Sequence, residues 1–300
     1  MISDFKALVA AAEQKGKMNV VLAVSEDLES LEALAIAHKE GLAEPILVGD
    51  KAKTIELCNG IGFDIKNFML YDEPDPCKAI QKAIDVVRAG EASALMKGLV
   101  DTGKLLKAVL DKEKGIKASE LLTHVMLVGV PTYPKILLIS DVAMVIRPDL
   151  PQKIKIIQNA VTVANVLGIE KPMVAMLCAV EKVNYEHMPE TVDAAILSKM
   201  AERGQLGSVI LDGPLALDLA VNPESCKIKK LVSPVCGDAD ILIVPDIVAG
   251  NVFYKSFTQF MPEHKSAGVI MGAKCPVILL SRSDSADCKF YSIALANLLS

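Results

Sequence analysis

One ten-residue segment near the C-terminus, Leu280-Ser281-Arg282-Ser283-Asp284-Ser285-Ala286-Asp287-Cys288-Lys289, follows a short apolar run. A single turn there gathers a hydroxyl, a guanidinium and two carboxylates. A reaction that binds phosphate, stabilises an oxyanion and removes a proton needs that set of groups. The plainer reading is a Ser or Asp helix cap with Arg282 beside it. Three other segments share the same form, an apolar run ending in charge and glycine. Met96-Lys97-Gly98-Leu99-Val100-Asp101-Thr102-Gly103-Lys104 places two lysines at a strand end and a helix start, where free backbone N–H groups attract anions. It lacks the GxxxxGK[ST] spacing of a P-loop, and its bland reading is a turn with two solvated lysines. Asp212-Gly213-Pro214 offers a carboxylate that orients a ligand or caps a helix whose first turn Pro214 would suit. Pro245-Asp246 through Gly250-Asn251 to Lys255 puts Gly250 and Asn251 at a helix head, where amides would hold a phosphate or an acyl carbonyl; an Asn cap explains the same residues.

Other chemistries find less support. The histidines at 38, 124, 187 and 264 are scattered without an HExxH or triad pattern. His124 opens an apolar strand, either facing a cleft or satisfied in the core. There is no GxSxG elbow and no GxGxxG turn. Seven cysteines, odd in number and widely spread, form no metal-ligand pattern and read as reduced thiols of a cytoplasmic protein.

These segments need strands that end in turns, and the chain supplies them. Short Val, Ile and Leu runs alternate with amphipathic stretches from end to end, a βα succession. Strands are predicted at 19–24, 45–48, 94–97, 124–128, 136–140, 173–179, 209–212, 241–245, 269–271 and 277–280. Helices are predicted at 4–14, 27–39, 75–89, 102–112, 150–166, 188–202, 250–260 and 286–299. The strands lack polar alternation, as strands buried on both faces do. A Gly and Pro turn at 129–134 predicts a hairpin among the parallel strands.

Three hundred residues suggest two domains. With 52% hydrophobic residues, 4% aromatics and no tryptophan, the core must be built from Val, Ile, Leu, Ala and Met. A net charge of −5 argues against a broad nucleic-acid surface. The most apolar stretch, 121–146, is interrupted by His124, Pro131, Pro134, Lys135 and Asp141, so no membrane span is expected, and the first residues do not read as a secretory leader.

Taken in order, these motifs resemble the phosphate acetyltransferase and phosphate butyryltransferase family over essentially the whole chain. The resemblance rests on Ile46-Leu47-Val48-Gly49-Asp50, Met96-Lys97-Gly98-Leu99-Val100, Ser140-Asp141-Val142-Ala143, Leu211 through Asp218, Val244-Pro245-Asp246-Ile247 with Gly250-Asn251-Val252 and Tyr254-Lys255, and Ser281-Arg282 ahead of Ser292-Ile293-Ala294-Leu295-Ala296. Lys97 to Val100, Asp193 to Met200 and Asp212 to Asp218 are similar to the butyryltransferase branch.

The resemblance implies an α/β fold like that of isocitrate and isopropylmalate dehydrogenases, with two three-layer α/β/α domains and a cleft between them. The expected partition is 1–123 with 274–300, discontinuous, around 124–273. It implies direct attack in that cleft, acyl-CoA + phosphate ⇌ acyl phosphate + CoA, with a butyryl or similar short chain; acetyl transfer, or acyl-CoA sensing without turnover, are the alternatives. Coenzyme A then enters as a substrate, with no permanently bound cofactor, no metal, and a homodimer or larger homo-oligomer as the assembly. Ser281 and Arg282 match the family's Ser-Arg pair at the reacting phosphate and carbonyl. The acetyltransferase branch carries an Asp seven residues beyond that Ser, where this chain has Cys288. The carboxylate lies one residue earlier, so the base for the CoA thiol is Asp287 first and Asp246 second. Substrate binding is expected from Lys97, Gly98, Thr102, His124, Asp141, Asp212, Gly213, Asp246, Gly250, Asn251 and Lys255.

Overall fold

The computed structural model describes residues 1–281 and 284–300. The chain divides into two compact units, Phe5–Leu122 with Ser266–Ser300, and Thr123–Lys265 with Met1–Asp4. Arg282 and Ser283 lie outside the described residues.

The discontinuous unit begins with α1 (Phe5–Lys15), β1 (Met18–Ala23), α2 (Leu28–Lys39), β2 (Ala43–Gly49), α3 (Lys51–Gly60), β3 (Met69–Asp72), α4 (Pro76–Arg88), β4 (Ala94–Lys97) and α5 (Thr102–Val109). The inserted unit carries β5 (Thr123–Gly129), β6 (Leu137–Ser140), α6 (Leu150–Val166), β7 (Met173–Leu177), α7 (Pro189–Glu202), β8 (Ile210–Leu215), α8 (Leu217–Val221), α9 (Pro223–Lys229), β9 (Ile241–Ile243) and α10 (Ile247–Phe260). The chain then returns through β10 (Lys265–Met271), β11 (Val277–Ile278) and α11 (Ala286–Leu299).

In the discontinuous unit the strands run in the order β3-β2-β1-β4-β11-β10. All pairs are parallel except β10 with β11. β4 is buried throughout and β1 nearly so, which is why their sequences read as unbroken apolar runs. The α/β character legible in the sequence is thus present, with helices packed on a mostly parallel sheet. The last helix, α11, packs on α1 and α2. Its Asn297 amide donates to the carbonyls of Gly16 (2.7 Å) and Leu42 (2.8 Å), tying the end of the chain to its beginning.

The inserted unit orders its strands β5-β6-β9-β7-β8. Only the β5–β6 pair is antiparallel, the hairpin announced by the turn at 129–134. α6 packs against β5, β6 and β9, and α7 against β8. The units part at 265/266, so β10 belongs with β11, whereas the expected boundary at 273/274 falls beyond β10. Pairing of Ile270 with Val277, and donation from the Gly268 N–H to the Ser292 hydroxyl (2.8 Å), hold β10 to its own unit.

Local differences from expectation have physical causes. β3 was not predicted because it is an edge strand with no buried residue. α3 was not predicted because the residues it buries are Thr54 and Cys58, which leave no apolar stripe. β8 runs on through Gly213 and Pro214 to Leu215, so Pro214 is a strand residue and opens no helix. α10 starts at Ile247, three residues before Gly250, because the Asp246 carboxylate caps it by accepting from the Ala249 N–H (2.9 Å). Cys226 and Cys236 form a disulfide, with Cα atoms 6.2 Å apart, where the sequence suggested only reduced thiols. They meet because α9 is short and the chain doubles back after it, a proximity that a spacing of ten residues does not announce.

Candidate active site

Parallel α/β sheets present their ligands at the carboxyl ends of strands, where the helix N-termini lie. In the discontinuous unit the ends of β1, β4 and β11 bring together Asp27, Lys97, Gly98 and Ser281. A small cavity lined by Asp27, Met96, Lys97, Ile278, Leu280, Ser281 and Lys289 encloses about 10 Å³, the room of one water. The ladder between β1 and β4 continues past the strands, because Gly98 N–H donates to Ala23 O and Leu99 N–H to Val24 O, both at 2.9 Å. Val24 is held at φ +60°, a conformation that β-branched residues avoid.

Lys97 is not the solvated turn lysine of the plainer reading. It is buried, and its Nζ donates to the carbonyls of Gly98 and Val100, each at 3.3 Å. Thr102 is the first residue of α5, half-buried, behind the Asp101 cap that accepts from the Lys104 N–H (3.2 Å). Ser281 is exposed. Its N–H donates to the Asp284 carboxylate (2.8 Å), and Asp284 N–H returns a bond to Ser281 O (3.1 Å). Asp287 is exposed on the first turn of α11 and is not among the residues lining the cavity. The residue of that turn which lines it is Lys289. Asp27 and Lys289 line this cavity, and neither stands out in the sequence. In sequence Asp27 is an ordinary helix cap, and a lysine in a first turn reads as solvated.

In the inserted unit the remaining residues lie at the start of β5 (His124), just beyond β6 (Asp141), within β8 (Asp212 and Gly213), and after β9 at the cap and in the first turns of α10 (Asp246, Gly250, Asn251 and Lys255). The antiparallel β5–β6 register sets His124 beside Asp141, and both are buried. Asp141 accepts from His124 N–H (3.1 Å) on one oxygen and from Ala143 (2.9 Å) and Met144 (2.8 Å) on the other. Burial still dominates and pushes its carboxyl up to about 6. Burial pushes His124 down to about 4, and neither ring nitrogen has a hydrogen-bond partner among the described residues.

Gly250 does not offer its amide to a ligand, because it lies inside α10 and donates to Asp246 O (3.1 Å). Its role is close packing. A Cβ there would stand 2.6 Å from Asp141 O and 2.8 Å from a Val244 methyl. Asn251 extends its amide toward Val142 O at 3.4 Å, and Lys255 holds its Nζ 5.5 Å from the Tyr254 ring centroid. The Asp212 carboxylate accepts from the N–H of its neighbour Gly213 (2.8 Å), and a Cβ on Gly213 would meet the Met176 side chain at 2.6 Å. Among the described residues no three His, Cys, Asp or Glu side chains gather as metal ligands. No described helix is long and apolar enough to cross a membrane.

The pair at 124 and 141 has a testable consequence. His124 gives up its proton more readily in the folded state than in the unfolded one, so the stability it contributes is present above about pH 6.5 and lost as pH falls toward 4. Asp141 has the opposite sign: its contribution is present below about pH 4 and lost as pH rises through 6. Each amounts to about 2 kcal/mol between pH 7 and 4.5, and in the wild type they offset one another. Asp141→Asn is therefore expected to make the protein more acid-sensitive, and His124→Phe less so, in urea unfolding at those two pH values. Identical acid dependence in all three proteins would refute the assignment.

The sequence model of the phosphate acetyl/butaryl transferase family matches residues 4–79 and 76–297. The chain belongs to this family. It is 42% identical over 299 residues to the phosphate butyryltransferase of Clostridium acetobutylicum, covering 100% of this chain and 99% of that protein. It is 44% identical over 289 residues to the phosphate acetyltransferase of Thermotoga maritima, covering 96% and 97%. Among solved structures, a branched-chain phosphotransacylase from Enterococcus faecalis superposes with a TM-score of 0.82 at 35% identity, covering 94% of this chain and 99% of that one. Family membership therefore spans both units.

Proposed function

We infer that this member of the family transfers a short acyl group between coenzyme A and inorganic phosphate, acyl-CoA + phosphate ⇌ acyl phosphate + CoA. The observation that carries this reading is the full-length relationship to a phosphate butyryltransferase, with no segment of more than a few residues left unmatched. A butyryl-sized chain is the preferred substrate proposed. Acetyl transfer is the second reading, favoured by the comparable identity to an acetyltransferase.

In the proposed reaction a phosphate oxygen attacks the thioester carbonyl carbon. The tetrahedral oxyanion collapses, the C–S bond breaks, and CoA leaves as a thiolate that takes up a proton. No covalent enzyme intermediate is needed, because holding both substrates in contact supplies much of the acceleration. Ser281 and Arg282 are proposed to hold the phosphate and the developing oxyanion. Asp287 is proposed to exchange the proton with the CoA sulfur, and its exposure leaves it accessible to substrate. Asp246 is the weaker candidate, since its carboxylate already caps α10. Thr102, Asn251 and Lys255 are proposed as substrate contacts. Lys97, Gly98, His124, Asp141, Asp212, Gly213 and Gly250 would then serve by shaping the backbone that meets the substrate. The proposal places the enzyme in the cytoplasm as a homodimer or larger homo-oligomer.

The test is release of free CoA from butyryl-CoA, measured with and without phosphate, then repeated with acetyl-CoA. Phosphate-dependent release, faster with butyryl-CoA, is expected. No phosphate dependence with either thioester would sink the transferase reading, and faster acetyl transfer would replace the butyryl assignment.

A further inference from the structure

Lys289 occupies an unfavourable place for a cation. It lies in the first turn of α11, where the helix dipole repels positive charge, and it is 5% exposed. Its Nζ stands 3.2 Å from an Asp27 oxygen and 3.7 Å from Glu29. Asp27 is 8% exposed, and accepts from the Ser30 N–H at 3.2 Å and from the Ser30 hydroxyl. Burial works to raise its carboxyl, but the Ser30 hydrogen bonds, with Lys289 beside them, hold it below the usual carboxylate range. A buried ion pair of this kind is a poor way to add stability, because apolar residues of similar volume do as well or better. The pair does one thing that apolar residues would not. It ties the first turn of α11 to the cap of α2 in one direction only, and α11 begins two residues after Asp284, whose carboxylate accepts from the Ser281 N–H. Lys289, Asp27 and Ser281 all line the same cavity.

We propose that the Asp27–Lys289 ion pair is a positioning device that holds Ser281 in its reactive place, with Lys289 acting through Asp27 and not as a substrate contact. The proposal deepens the transferase reading and rests on it for the role of Ser281. Removing Lys289 alone strands a buried carboxylate and endangers folding, so the informative variant is Asp27→Asn with Lys289→Met, which removes both charges at nearly constant volume and keeps a side-chain oxygen to accept from the Ser30 N–H. That double variant is expected to keep the wild-type unfolding temperature within a few degrees. Its kcat for phosphate-dependent CoA release should fall at least tenfold, while KM for the acyl-CoA stays within about twofold. Lys289→Arg, which preserves the pair, should retain kcat within about threefold. Hydrogen exchange at the amides of Ser281 and Asp284 gives a readout that does not depend on turnover, and protection there should drop at least tenfold in the double variant. A double variant with unchanged exchange overturns the proposal, as does one that is loosened but fully active. If the wild type itself shows no transfer, the transferase reading fails separately, and the exchange measurement still decides whether the pair holds Ser281.

Discussion

Arg282→Ala is expected to lower kcat for phosphate-dependent CoA release from butyryl-CoA by about a hundredfold or more. In the proposed reaction negative charge develops on the carbonyl oxygen beside a phosphate that is already anionic. A guanidinium presents a planar pair of donors matched to such oxygens. Loss of one oxyanion donor commonly costs about 10²–10³ in kcat. Arg282→Lys restores the charge without the fork, and is expected to recover only part of the loss. Steady-state kinetics over a range of phosphate concentrations separates the two contributions: a rise in KM for phosphate reports ground-state binding, and a fall in kcat reports the transition state. Near wild-type turnover in the alanine variant would remove Arg282 from the mechanism.

Gly98→Ala is expected to destabilise the discontinuous unit by about 3 kcal/mol. A Cβ at Gly98 would stand 2.0 Å from Val24 O and 2.9 Å from Ala23 O, both backbone atoms with no side chain to rotate away. The clash falls where Gly98 N–H bonds Ala23 O and where Val24 is already held at φ +60°. The strand ends would have to part, and the turns carrying Lys97 and Asp27 would move with them. Thermal unfolding should show a midpoint lowered by about 6–12 °C, given roughly 2–4 °C per kcal/mol at this size. Gly60→Ala is the control, because nothing lies within 4 Å of its Cβ position; it should leave the midpoint nearly unchanged. If Gly98→Ala unfolds like the wild type, the close approach of β1 and β4 does not require glycine. If it is stable but inactive, Gly98 serves the substrate and not the fold.

Much of the architecture is legible in the sequence, for a physical reason. Strands buried on both faces lose polar alternation, so β1, β2, β4, β5 and β6 stand out as apolar runs. Elements escaped where that cause was missing, as with β3 on a sheet edge and α3, which buries a threonine and a cysteine. The strand-end motifs were legible as candidates, yet their local chemistry was ambiguous between ligand and cap. In the structure the Asp246 carboxylate caps α10, and Gly250 packs closely against Asp141 O. It also moves Lys97 from solvent to the interior.

By itself the sequence determined the α/β class, the βα order, and the segments that end strands in turns, because those depend on local periodicity and on residue type. It also determined the family, since the motifs recur in order along one chain. Tertiary structure alone decided which side chains share a cavity. Asp27 and Lys289 are separated by 262 positions and meet only because α11 returns to pack on α2. Nothing local marks such a pair. The interaction is set by the register of two helices on one sheet, and a lysine destined for burial carries no signature in its neighbours. Ser281 is thus a candidate that the sequence itself offers, whereas the ion pair proposed to hold it is visible only in the folded chain.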